Sequence, residues 1–241
     1  MIDEHIVCLN PSKQGSNIGV DDYGTEKDNA HIIGYRVKDI LDWNGGFKKA
    51  YCTPKTMTLS EGIKFSNDVK ATIHVDIHSN AWMYKNRGCQ ACYKSAKGKA
   101  LAKCIYDEVA SVTPTADEGL KYRDDLGALN QTNATAALVE MFYHDNYDDV
   151  EFYKNHKEEF ARAIAAGIMK YAGVPERQET VYKTVTATQL NVRDTPSAAS
   201  PDTIIGHLNN GDKVHVGFEK NGWANIFFGN NGGWVSSAYL K

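Results

Sequence analysis

No run of about 18 apolar residues occurs in this 241-residue chain, so no segment reads as a membrane span. A basic surplus is missing too. Lys and Arg number 27 against 30 Asp and Glu, a formal net charge of −3, which argues against nucleic-acid binding by bulk electrostatics. The N-terminal MIDEHIVCLNPS holds acids and no long apolar h-region, so no secretory signal peptide is expected. The cysteines are few and odd in number: Cys8, Cys52, Cys89, Cys92 and Cys104. Reduced thiols made in a cytoplasm are therefore the simpler expectation than a disulfide framework. Cys89 and Cys92 form one CxxC, but the second pair of a zinc ribbon is absent, so these read as incidental thiols. There is no HExxH, internal repeat or low-complexity tract. What is there is 42% hydrophobic residues, enough to exclude disorder and to supply one large core or two smaller ones.

The composition changes character near residue 173. Before it, apolar runs alternate with helical patterns. His5–Leu9 reads as a short strand running into Asn10-Pro11. Thr25 can cap a helix to about Leu41, with Ala30, Ile33, Val37 and Ile40 on one face. Thr72–His78 alternates as a strand, Ser95 can start a helix through Leu101, Ile105 and Val109, and Ala136–Tyr143 is a mostly apolar strand. A helix over Val150–Ala172 repeats Phe160, Ile164 and Ile168, with Gly173 as its left-handed stop and Pro175 barring continuation. This alternation predicts an α/β domain whose sheet is covered by helices on both faces. After the polar PERQET segment, five short strand candidates separated by Gly- and Asn-rich turns predict a small all-β barrel. The expected organisation is a first domain over 1–173, a linker over 174–183 and a second domain over 184–241.

Three residues stand where packing alone would not put them. Glu26 lies in the first helical turn yet on the apolar stripe, which is compatible with a carboxylate aimed at the sheet or with an exposed helix-dipole Glu. His78 ends a strand whose one face also carries His74 and Asp76, and ligands gather beyond the carboxyl ends of such strands. Glu140 sits inside AALVEMFY, where a carboxylate must be protonated, ion-paired or close to a metal. A Glu, a His and a further Glu suit a hydrolytic zinc site with an open water position.

The segments NPSKQGSNIGVDDYGTEKDNA, IHVDIHSNA and LNQTNATAALVEMFYHDN, in that order, resemble the zinc-dependent N-acetylmuramoyl-L-alanine amidases of the amidase-3 type over about residues 5–172. The resemblance implies a mixed sheet flanked by helices, and hydrolysis of the amide between the lactyl group of N-acetylmuramic acid and L-alanine in peptidoglycan. It implies Glu26 and His78 as metal ligands and Glu140 as the catalytic acid/base. The family's other ligand, a histidine two residues after the first proline, is missing from Pro11-Ser12-Lys13-Gln14-Gly15. Gln14 is the expected replacement, with His144 and then His74 as alternatives.

The stretch from Thr184 resembles a bacterial SH3-like domain through LNVR, the Gly-Asp turn and GGWV. Such domains commonly bind cell-wall peptide or glycan. Its expected core is Leu190, Val192, Ile205, Val214, Val216, Ile226 and Val235, with Trp223, Phe228, Trp234 and Tyr239 as candidate wall-binding aromatics. From Lys183 onward there are five basic and four acidic residues, so strong charge attraction to an anionic wall is not expected. Together these features predict a zinc peptidoglycan amidase, made in the bacterial cytoplasm as a phage or prophage endolysin and acting on the wall after release. The alternatives are a host autolysin, a stem-peptide endopeptidase, or a non-catalytic wall-binding protein with a degenerate amidase fold.

Overall fold

Strand Ile6–Pro11 (β1) sends successive side chains to opposite faces, and its last two residues show what covers each. The computed structural model describes residues 4–114, 118–177, 181–226, 228 and 232–241. Contacts divide the chain into two units, Met1–Glu176 and Arg177–Lys241. In the first unit, helix Glu26–Asn44 (α1) is capped by the Thr25 side chain, which accepts from the Asp28 N–H. Helix Leu59–Asp68 (α2) begins in a reciprocal capping box between Thr58 and Glu61. A Cβ on Gly34 of α1 would meet Pro11, and one on Gly62 of α2 would meet the Asn10 side chain. Since Asn10 and Pro11 face opposite ways, α1 and α2 cover opposite faces of the sheet.

The remaining elements are β2 (Lys49–Cys52), β3 (Ile73–Asn80), β4 (Gln90–Tyr93), α3 (Ala96–Val112), β5 (Gly119–Tyr122), α4 (Gly127–Gln131), β6 (Thr135–Tyr143) and α5 (Tyr147–Ala172). The six strands run in the order β2-β1-β3-β6-β4-β5. Pairing is parallel except where β4 meets β6, so the sheet is mixed. Helix α5 packs on α1 and α3. Buried Glu158 of α5 receives Arg36 of α1 at 2.5 and 2.6 Å and Arg162 of its own helix at 2.8 Å. Helix α5 starts at Tyr147 rather than Val150 and is kinked at His156. All five cysteines are free thiols. Among the described residues, no helix is long and apolar enough to cross a membrane.

The second unit is an antiparallel sheet of β7 (Val181–Thr184), β8 (Gln189–Arg193), β9 (Ile204–Asn209), β10 (Lys213–Lys220), β11 (Trp223–Ile226) and β12 (Gly233–Ser236), in the order β7-β10-β11-β12-β8-β9. It has six strands where the sequence suggests five, and the expected barrel is not closed among the described residues. Its core joins Val185, Leu190, Val192, Val214, Val216, Ala224, Ile226 and Val235. Ile205 is not part of it. On the alternating edge strand β9 its side chain is exposed, while the Phe228 ring lies against Gly206. Of the expected linker, residues 178–180 lie outside the described residues.

Candidate active site

His78 of β3 and Glu140 of β6 are register partners, and Gln90 of β4 flanks Glu140 on its other side. Just beyond His78 the β3–β6 register shifts, an irregularity of the kind that re-aims side chains at a strand end. The turn after β1 is pinned there by the Ser12 N–H, which donates to Ile77 O at 2.9 Å. The Glu26 N–H donates to Asn17 O at 2.8 Å, setting the first turn of α1 against the same place. The Glu26 side chain is buried and aimed inward, not an exposed helix-dipole carboxylate. Its Oε1 lies 2.8 Å from His78 Nδ1, and its Oε2 accepts from Asn17 Nδ2 at 2.7 Å.

Electrostatics separate the two carboxylates. Burial works against ionised Glu26, yet the facing His78 ring and the Asn17 and Ser12 side chains hold its carboxyl below the ordinary range. Burial likewise opposes a charged His78, but Glu26 and the charge of Glu140 outweigh it and lift the imidazole to about 9. Glu140 has no such partner. Burial, only partly offset by His78, raises it to about 7. Two carboxyl groups pushed apart in this way are suited to different tasks, one to stay charged and one to exchange a proton near neutrality.

Glu26 Oε1 is faced by the His78 ring at 2.8 Å, whereas the buried Glu140 Oε2 has no hydrogen-bond partner among the described residues. Glu26 Oε1 and the His78 ring that faces it are an oxygen and a nitrogen donor of the types a divalent cation such as zinc takes. Among the described residues, no group of three or more His, Cys, Asp or Glu side chains is placed to hold a metal. Gln14 is exposed, and its Oε1 accepts from the same Asn17 amide at 2.8 Å, so it is joined to Glu26 through that residue. Lys13, at the position of the family's missing histidine, is engaged with Thr53 Oγ1, Pro54 O and His31 Nε2 at 2.9, 3.2 and 3.2 Å.

The alternative histidines are otherwise occupied. His144 is buried, its Nδ1 lies 3.0 Å from both Ser79 Oγ and Ser79 O, and its ring stacks on Tyr23. His74 is buried between Ser66 Oγ at 2.9 Å and Asp76 Oδ1 at 3.0 Å, while Asn10 Nδ2 donates to the same Asp76 oxygen at 2.8 Å. Three polar residues on one strand face thus split into two core partners and one site residue. Asn17 and Ser12 escaped the sequence reading because they lie on an irregular loop, where no periodicity marks a side chain as inward-facing. In the second unit Tyr239 is exposed, Trp223 is half-buried, and Phe228 packs on the core. Trp234 is 6% exposed, so it is not a surface platform.

Residues 7–170 match the N-acetylmuramoyl-L-alanine amidase family, and residues 188–241 match the bacterial SH3 domain. The catalytic domain of CwlV, an N-acetylmuramoyl-L-alanine amidase from Bacillus (Paenibacillus) polymyxa var. colistinus, shares the fold of the first unit. Its TM-score is 0.64 at 23% identity, covering 71% of this chain and 99% of that one. N-acetylmuramoyl-L-alanine amidase AmiC2 of Nostoc punctiforme has a TM-score of 0.61 at 26% identity, covering 70% of this chain and 97% of its own. An uncharacterized 38.4 kDa protein of Clostridium perfringens is 27% identical over an alignment of 118 residues that covers 46% of this chain and 34% of that protein. This chain thus spans about a third of that relative's length. With a family match that runs through the sheet, the helices and all three singled-out residues, the chain belongs to the N-acetylmuramoyl-L-alanine amidase family and carries a bacterial SH3 domain behind it.

Proposed function

We propose that this chain hydrolyses the amide between the lactyl group of N-acetylmuramic acid and L-alanine in peptidoglycan. The observation that carries this reading is Glu140: a buried, unpartnered carboxylate oxygen opposite His78, on a group lifted to about 7. Glu26 and His78, with Gln14, would hold zinc. When bound there, zinc supplies a Lewis acid that polarises the amide carbonyl and makes water a stronger acid. Glu140 takes the proton from the attacking water and delivers it to the amine of L-alanine as the C–N bond breaks. A group poised near 7 can do both at neutral pH. Asn17 and Ser12 keep Glu26 ionised and oriented. Residues 1–173 would form the catalytic domain, 174–183 a linker and 184–241 a wall-binding domain. A phage or prophage endolysin is the role this arrangement suits, with a host autolysin as the other.

Digestion of purified wall tests the chemistry. New L-alanine amino termini should appear without new reducing sugar ends, and a chelator should stop the reaction until zinc is restored. Reducing ends would instead mean a glycosidase. A second reading, a wall-binding protein with a degenerate amidase fold, draws on Lys13 in place of a ligand histidine. Purified protein that contains no zinc and releases no termini would favour it.

A further inference from the structure

Directly after the strand bearing His78, the chain exposes three large apolar side chains in a row. Trp82, Met83 and Tyr84 are 59%, 69% and 68% exposed. This is not a loose tip. The Asp145 Oδ2 atom accepts from the N–H of Trp82 at 2.8 Å and of Tyr84 at 2.9 Å, and Asn80 Oδ1 accepts from the Ala81 N–H at 2.9 Å. Met83 and Tyr84 both adopt left-handed backbone, with φ of 50° and 60°. Two consecutive side-chain-bearing residues in that region are strained, and such strain persists only where the surroundings impose it, characteristically at ligand clamps. Neighbouring loops repeat the pattern. Ile18, on the loop after β1, and Tyr147, at the start of α5, are also exposed. That first loop is tied to the end of β6 by the Val20 N–H, which donates to His144 O at 3.0 Å. Exposed apolar residues scattered singly need no explanation, but four on loops and a fifth at a helix start, all following strands at the site end of one sheet, do.

We infer that the 81–85 loop is a glycan subsite, with Trp82 and Tyr84 offering aromatic faces to a sugar ring of the substrate beside the scissile amide. The inference rests on the amidase reading above. The chemistry favours a sugar over the stem peptide. The C–H face of a pyranose carries partial positive charge that meets the negative face of an aromatic ring. A charged stem peptide would instead call for cations: Arg87 is already paired with Asp148 and Asp149, and Lys85, exposed at the far end of the loop, is the cation that a stem carboxylate would use.

The test compares two substrates of the full-length zinc-loaded protein: a disaccharide-peptide, and the N-lactoyl peptide that has the same amide without sugars. The W82A/Y84A double variant should raise KM for the disaccharide-peptide by about tenfold, the size of one to two aromatic stacking contacts, with kcat unchanged. KM for the N-lactoyl peptide should not move. W82F/Y84F should recover most of the loss, as retained rings require. Equal KM values on the sugar substrate, or a parallel rise on both substrates, would overturn the inference, the latter in favour of peptide docking on the loop. If the parent protein cleaves neither substrate, the amidase reading fails by itself. Calorimetric binding of an N-acetylglucosamine oligosaccharide to parent and W82A/Y84A chains then decides the subsite: about tenfold weaker binding supports it, and equal binding refutes it.

Discussion

Replacing Glu140 by Gln should separate two quantities that a catalytic carboxylate ties together. Burial lifts Glu140 from an ordinary value of 4.5 to about 7. Between those values the folded chain holds a proton that the unfolded chain has released, so folding stability falls as pH rises through this window. Above it the whole penalty stands. At about 1.4 kcal/mol per pH unit, it amounts to about 3 kcal/mol as an upper figure. Gln has the same shape and cannot ionise. The metal-free Glu140→Gln variant should therefore be about 2–3 kcal/mol more stable than its parent at about pH 8, with the gain vanishing near pH 4. Turnover should fall by roughly 10²–10⁴, the usual worth of a general acid/base. Urea unfolding in chelator, followed by helical circular dichroism, reads the stability of the first unit, because the five α-helices all lie within it. Equal stabilities at both pH values would mean that Glu140 is not a buried ionising group, and near-normal turnover would mean that another residue is the base.

Gly167→Ala should destabilise the first unit although Ala is the better helix former by about 1 kcal/mol. The new Cβ would meet Ile105 Cα at 2.4 Å and Cys104 O at 2.8 Å, backbone atoms of α3 that cannot rotate away. A net loss of about 1–3 kcal/mol is expected, and thermal melting that rises instead would show that the α3–α5 contact can open without cost. Gln14→Ala should lower zinc affinity in a competition titration with a chromophoric chelator, while His144→Ala leaves it unchanged. The reverse ranking would move the metal toward the end of β6.

The longer elements of the first unit were legible because cap, apolar stripe and stop agree. Thr25 and Ser95 do cap α1 and α3, and Gly173 does close α5 in a left-handed conformation. What escaped was short. Strands β4 and β5 have four residues each, too few for an alternating pattern, and α4 lacks a side-chain cap altogether. Helix α2 carried a readable signal in Thr58 and Glu61, but its apolar face is interrupted by Ser66, which serves the buried His74 instead of the core. At the site, Glu140 was the clearest residue, since a carboxylate amid apolar neighbours needs a reason. Glu26 could only be settled by seeing where the first turn of α1 sits. Ile205 shows the limit in the second unit: a β-branched residue on an alternating strand looks like core until the facing sheet is known.

The reversal of strand direction between β6 and β4 shapes how substrate range can change in such a chain. Because β4 runs opposite to β3, the segment from Asn80 to Gln90 starts and ends at the same edge of the sheet and crosses over the end of β6 without an intervening helix. Two strand spacings measure only about 10 Å, whereas the nine residues 81–89 could reach roughly 30 Å if extended. The bridge is some three times longer than its span. Residues can therefore be inserted, removed or exchanged in its first half without shifting any strand register or helix, provided the N–H groups of Trp82 and Tyr84 held by Asp145 and that of Gly88 held by Asp149 keep their acceptors. A segment with that freedom, starting directly after the strand that carries His78, is where relatives of this fold can diverge in what they admit while leaving the residues of the candidate site in place.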